Sequence, residues 1–425
     1  MATVTRRIGL SLGADLCWPA AYEEILRELD LALAIDGDTV RFAVERVEVE
    51  PFSLRAEPRY DVIVDRLTHW FHTSREWVKK SALDGAYVLN NPWSIQSMEK
   101  HSSYCAMMKL GMPIPETVML PPKEYPDEGD IKVTVQRYNK LFSLNDVGEK
   151  VGYPAFLKPY DGGGWVGVTR VKNAEELHEA YDASGQRVQH LQAGVKDWDL
   201  FVRAIGIGPQ VNIVRYDPDQ PLHERYRVDF HFLEADEWQH VTRVCRVINA
   251  FFGWDFNSCE LLRTPADGVF HPIDFANACP DSQVTSLHYH FPWLVTALIR
   301  WTVFCAATGR KPVLTLPWGR FFEANDPALS YEEKLARYDE LAREIYDTDR
   351  FEAFCETHLQ ALDHVAWRFF GSSRFREIVR AKVAALFPAH EVEQFTEHFY
   401  GMVQFWRKTE ADRKGWSLSD NDATE

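Results

Sequence analysis

The chain has 425 residues, 46% hydrophobic and 26% charged, which is too long for one hydrophobic core and too apolar for a disordered segment. The net charge of −16 argues against a nucleic-acid backbone as the main partner. No run approaches the length of an apolar membrane span, the first residues carry no apolar signal segment, and seven scattered cysteines form no C-x-x-C pair, which predicts reduced thiols in the cytoplasm.

Residues 6–12 read as a first strand. Tyr22, Ile25, Leu26, Leu29 and Leu33 have helical spacing and predict a helix over 22–33. Strands follow at 40–49 and 60–66, then a helix over 73–83 and a short strand at 87–90. This alternation predicts a small parallel sheet. Asp65 and Arg66 lie at a strand's carboxyl end, where such sheets place ligands, the alternative being a structural surface pair.

A helix is predicted over 95–110, carrying Glu99-Lys100-His101 and stopped by Gly111-Met112-Pro113-Ile114-Pro115. The proline- and acid-rich stretch 121–130 reads as a linker or surface loop. A short helix follows Ser143. The apolar run 155–157 then ends on Lys158 and Pro159, before Gly162, Gly163, Gly164 and Gly167, and a strand returns over 166–171. Glycines let backbone N–H groups approach a ligand, and a lysine at the mouth adds a charge suited to phosphate. The plain alternative is a flexible hairpin with a surface lysine. Asn173 and Glu176 read as a helix start.

Over 188–207 the pattern predicts two strands with a bend near Gly194, and 211–216 and 226–233 continue an antiparallel sheet. Residues 248–254 read as the end of a helix. A strand at 259–263, the Asp267-Gly268 turn and a strand at 270–277 form a hairpin that sets Glu260 opposite Asp274, with Asn277 and Asp281 after it. Two carboxylates and an amide oxygen suit Mg2+ bridging phosphates, the alternative being unrelated surface acids. His288 and His290 share one side of a predicted strand, either as metal ligands or as hydrogen-bonded histidines. From Ser330, which forms a capping box with Glu333, apolar residues recur every three or four positions as a packing stripe.

Taken in order, these motifs resemble the ATP-grasp superfamily over roughly residues 1–315. They are Asn90-Asn91-Pro92, Lys100, Gly111 to Pro115, Phe156-Leu157-Lys158-Pro159, the glycine loop, Gln192 with Asp199, and Glu260 with Asp274 and Asn277. The resemblance implies an α/β and α+β fold. An N-terminal parallel α/β domain spans 1–120, a two-subdomain ATP-grasp core 121–322, and a helical extension 323–425. It implies that Lys100 and Lys158 contact ATP phosphates and that Gly162, Gly163 and Gly164 cover them. Gln192 to Val195 would read adenine, Asp199 would bind ribose, and Glu260, Asp274 and Asn277 would hold Mg2+, or Mn2+ in its place. The implied activity is a ligase that activates a carboxylate as an acylphosphate and joins it to an amine, releasing ADP and phosphate.

Three departures stand out. Gln192 replaces the usual acid, Asp274 and Asn277 are one residue further apart than the usual pair, and Glu99 stands where an Asp normally precedes the lysine, with Lys109 close by. Asp281 is a candidate extra ligand. A carboxylate substrate needs a cationic clamp, for which Arg203, Arg225, Arg227, Arg243 and Arg246 are candidates, with Arg243 and Arg246 preferred because they precede the carboxylate hairpin. The expected partners are a small-molecule carboxylate and an amine, with no nucleic acid or membrane, and a homodimer is open. The competing readings are a non-catalytic nucleotide-binding scaffold and a small-molecule kinase.

Overall fold

The computed structural model describes residues 2–48, 50–68, 71–94, 99–138, 140–161, 163 and 165–418. The chain first lays down β1 (Thr3–Ser11), α1 (Cys17–Leu29), β2 (Ala32–Ile35), β3 (Asp38–Arg46), β4 (Val62–Asp65), α2 (His72–Leu83) and β5 (Tyr87–Leu89). The sheet order is β2-β3-β1-β4-β5, parallel except for the β2–β3 hairpin. The predicted helix 22–33 is shifted, starting at Cys17 and ending at Leu29. Asp30 turns left-handed at φ 38 and Leu33 belongs to β2. Asp36 (φ 49) and Gly37 (φ 87) make the hairpin turn, and that Asp-Gly pair was the overlooked strand signal.

A second unit comprises β6 (Thr117–Leu120), α4 (Gly129–Tyr138), α5 (Leu144–Val151), β7 (Ala155–Pro159), β8 (Thr169–Val171), α6 (Ala174–Asp182) and β9 (Gln189–Ala193), preceded by α3 (Lys100–Lys109). Part of the predicted helix 95–110 is α3, and residues 95–98 lie outside the described ones. Its antiparallel sheet runs β6-β9-β7-β8. Leu120, Leu144, Ala155, Leu157, Leu177 and Leu191 give it a core of its own. Ser143 caps α5 by accepting from Asp146 N at 3.1 Å, and Asn173 caps α6 by accepting from Glu176 N at 2.9 Å. Helix α4 begins inside the stretch read as a loop.

The third sheet, β12-β11-β10-β13-β14, is antiparallel and is built from β10 (Leu200–Ile207), β11 (Gln210–Tyr216), β12 (Tyr226–Arg227), β13 (Phe256–Thr264) and β14 (Val269–Asp274). The strand expected over 226–233 is only two residues long. Helix α7 (Ala235–Phe252) covers one face. It lies so close that a Cβ on Gly206 would meet Asn249 Nδ2 at 2.1 Å.

Then come α8 (Val284–Leu287), a single 3-10 turn at His288–His290, and α9 (Phe291–Ala307). The histidines are therefore not on a strand. Helix α9 is buried on nearly every side, so it has no polar stripe by which its period could be read. The remaining helices are α10 (Trp318–Ala324), α11 (Tyr331–Tyr346), α12 (Thr348–His358), α13 (Leu362–Phe369), α14 (Ser373–Ala384) and α15 (Val392–Lys414). The Ser330–Glu333 capping box opens α11. One core joins Ile8 of β1, Ala204 of β10, Trp301 of α9, Phe351 of α12 and Phe399 of α15. Among the described residues no helix is long and apolar enough to cross a membrane, and all seven cysteines are free.

Candidate functional site

Side chains alternate across a strand, so Lys158 on β7 shares a sheet face with its register partner His190 and with Gln192 on β9. Lys158 Nζ donates to Gln192 Oε1 at 2.7 Å and crosses to the third sheet, donating to Ile273 O at 3.2 Å. Gln192 Nε2 donates to Thr117 Oγ1 at 3.0 Å. Lys100 opens α3, where its N–H donates to Tyr160 O at 2.7 Å, and its Nζ lies 3.3 Å from Asp274 Oδ2. Burial is the main cause that pulls the Lys158 ammonium down to about 8. Lys100 adds to this, while Asp274 and Glu260 oppose it.

On the facing sheet Glu260 stands opposite Asp274, at a register shift between Glu260 and Leu261. Glu260 is also the register partner of Arg203, whose Nη2 lies 3.3 Å from its Oε1. Arg203 Nε donates to Ser258 Oγ at 3.4 Å, and its guanidinium packs on Tyr216 at 5.3 Å and Tyr226 at 5.6 Å. Burial raises the Glu260 carboxyl above its usual range. Arg203 opposes this and Asp274 adds to it.

Asn277 Nδ2 donates to Ser258 O at 3.4 Å, and a Cβ on Gly163 would lie 3.8 Å from Asn277 Oδ1. The glycine loop thus borders the carboxylate hairpin. Asp274 Oδ1 is buried with no hydrogen-bond partner. Among the described residues no three His, Cys, Asp or Glu side chains gather as a metal cluster. The donor set is instead two carboxylates and an amide. One carboxylate oxygen is orphaned, which fits a hard cation that completes its shell with phosphate and water.

The other expected residues are placed as follows. Gly162 and Gly164 lie outside the described residues. Val195 packs at the edge of the large core, just after Gly194, where a Cβ would sit 2.7 Å from Pro154 O. Asp199 is held by Arg263 at 3.1 and 2.6 Å, which lowers its carboxyl. Arg243 and Arg246 are not brought to the hairpin. They lie on α7 and face Asp339 of α11, at 4.0 and 3.2 Å. The reason is strand alternation, because α7 covers the Ala204 and Gly206 face while Arg203 and Glu260 occupy the other. Arg203, ranked lower from the sequence, is the arginine at the site.

Asp281 Oδ1 accepts from Gln283 N at 3.0 Å. Arg66 pairs with Asp15 at 3.3 Å and donates to Pro280 O and Ser282 Oγ at 2.9 Å each, tying the loop after Asn277 to the N-terminal sheet. Asn90 adds a second tie by donating to Phe256 O at 2.9 Å and Ala278 O at 2.6 Å. His288 Nδ1 accepts from Tyr289 N and His290 contacts Arg227 O, away from the hairpin. His190 was missed, and its signal was the i, i+2 spacing to Gln192.

Residues 108–191 match the family model described as D-ala D-ala ligase C-terminus, a segment that includes Lys158 and ends one residue before Gln192. Among solved structures, the chain is similar to a RimK domain protein ATP-grasp from Sphaerobacter thermophilus, at 14% identity over 69% of this chain and 97% of that one, TM-score 0.46. It is similar to a D-alanine–D-alanine ligase from Bacillus anthracis complexed with ATP, at 12% identity over 72% and 97%, TM-score 0.47. It is also similar to the VanG D-Ala:D-Ser ligase from Enterococcus faecalis, at 12% identity over 80% and 100%, TM-score 0.43. No curated protein matches the sequence. The family match covers residues 108–191 alone and specifies no particular relative.

Proposed function

We propose that the chain is an ATP- and Mg2+-dependent ligase that phosphorylates a carboxylate, couples the acylphosphate to an amine, and releases ADP and phosphate. The observation that carries this reading is the meeting of two lysines with the carboxylate hairpin, Lys100 at Asp274 and Lys158 at Ile273 O. With Arg203, these lysines gather three cations at the hairpin of an otherwise acidic protein, a setting suited to a polyphosphate.

Lys100 and Lys158 hold the phosphates, the backbone from Gln192 to Val195 reads adenine, and Asp199, oriented by Arg263, takes the ribose. Glu260, Asp274 and Asn277 would hold Mg2+, which neutralises charge on the transferring phosphoryl group. Arg203, held beside Glu260, would clamp the carboxylate substrate, the role first expected of Arg243 and Arg246. The glycine loop around Gly163 excludes water from the activated carboxylate.

Calorimetry with ATP, with and without Mg2+, tests the site. Lys158→Ala and Asp274→Ala are each expected to remove Mg2+-dependent binding and to lower turnover by about 100-fold or more, the scale seen when one transition-state contact is lost. Near-normal rates in both variants would show the site to be wrong, and no binding to folded wild type returns the scaffold reading. ADP release that needs both a carboxylate and an amine supports the ligase. A stable phosphorylated product formed without an amine makes the protein a kinase.

A further inference from the structure

We propose that His190, with His101 behind it, is a proton-accepting phosphate contact, so that nucleotide binding by this protein is coupled to proton uptake. The inference rests on the nucleotide site proposed above. His190 is the register partner of Lys158 and lies on the face of β9 that carries Gln192, so it belongs to the cleft wall. Its side chain is buried at 1% exposure and its Nδ1 has no hydrogen-bond partner. Its Nε2 lies 3.5 Å from Nδ1 of His101, and the two rings stack with centroids 5.6 Å apart at 23°. His101 is exposed beside Lys100 and connects the buried ring to solvent.

The groups facing His190 are Lys158 from β7, Lys100, His101 and the neutral Tyr104 from α3, and the neutral Met119 opposite it on β6. Burial, then His101 and the two lysines, hold the imidazole neutral, with its pKa lowered to about 4. A polyphosphate reverses each charge effect, since it neutralises the lysines and brings anionic oxygens to the ring. The imidazole then takes one proton from solvent through His101, becomes imidazolium, and donates from Nδ1 to a phosphate oxygen. No bond to phosphorus forms. His190 would thus add positive charge only when the ligand's negative charge is present.

The test is calorimetry of MgATP binding at about pH 6, well below the Lys158 titration, in buffers of different ionisation enthalpy. The dependence of observed enthalpy on buffer enthalpy counts the protons. Wild type is expected to take up roughly 0.5–1 proton per MgATP, His190→Gln at most about half of that, and wild type with adenosine none. Should His190→Gln fail to fold, His190→Phe, which keeps a ring to stack on His101, carries the test. Unchanged uptake in the folded variants, or equal uptake with adenosine, overturns the inference while leaving the nucleotide site intact. Absence of MgATP binding to folded wild type overturns both.

Discussion

The two walls of the cleft are built differently. The Lys158 wall is a four-stranded sheet with a small private core, covered by α5 and α6. The Glu260 wall belongs to one large core that runs from β1 through α9 to α15. Positions on the first wall can therefore shift as a unit without disturbing the rest, whereas the second is fixed by most of the molecule. Low-stability elements with separate cores are where proteins open locally. Lys158 thus belongs to a wall able to move, whereas Lys100, on a helix whose Tyr104 and Met107 join the large core, stays with Glu260 and Asp274 on the wall that is fixed.

Breaking the fixed wall should have the largest effect. Arg203→Ala leaves Glu260 buried without its cation, so a global destabilisation of about 3–5 kcal/mol is expected, read as a fall in the main thermal transition. A small shift would mean that Glu260 is solvated and the wall is not rigid. Leu191→Ala truncates a side chain at 0% exposure in the private core and is expected to cost about 2–4 kcal/mol there. Hydrogen exchange should accelerate over residues 117–193 and nucleotide binding should weaken, while the main transition holds. Exchange rising equally in both walls would erase the distinction. The smallest effect is at Ser330→Ala, which removes the α11 cap for about 1 kcal/mol. Because α11 belongs to the large core, the main transition should fall by about 1–2 °C without faster exchange in the small unit.

Much of the site was legible because short-range chemistry encodes it. The Asp267-Gly268 turn, confined to a tight hairpin, was enough to place Glu260 opposite Asp274. Asn173 and Ser330 announced their helices by side-chain oxygens placed to accept from the first turn. What escaped was decided by burial and by faces. Helix α9 is apolar throughout, so no period marked it, and α4 was hidden by neighbouring prolines and acids. Arg243 and Arg246 precede the hairpin in sequence but sit on the helix covering the opposite face, a fact carried only by sheet alternation. Arg66 could be placed at a strand end, but its hold on Pro280 and Ser282 spans more than two hundred residues, beyond any local pattern.

The glycine loop also carries its own optical reporter. Of 14 tryptophans in the chain, Trp165 is the one between residues 117 and 193, and it sits in the loop with φ 65 and 44% exposure. Trp18, Trp254, Trp301 and Trp367 are wholly buried in the rest of the molecule. Trp93, Trp198 and Trp238 are about as exposed, so the indole of the loop is read as the difference between wild type and Trp165→Phe, with the blue-emitting indoles of the interior as its internal standard.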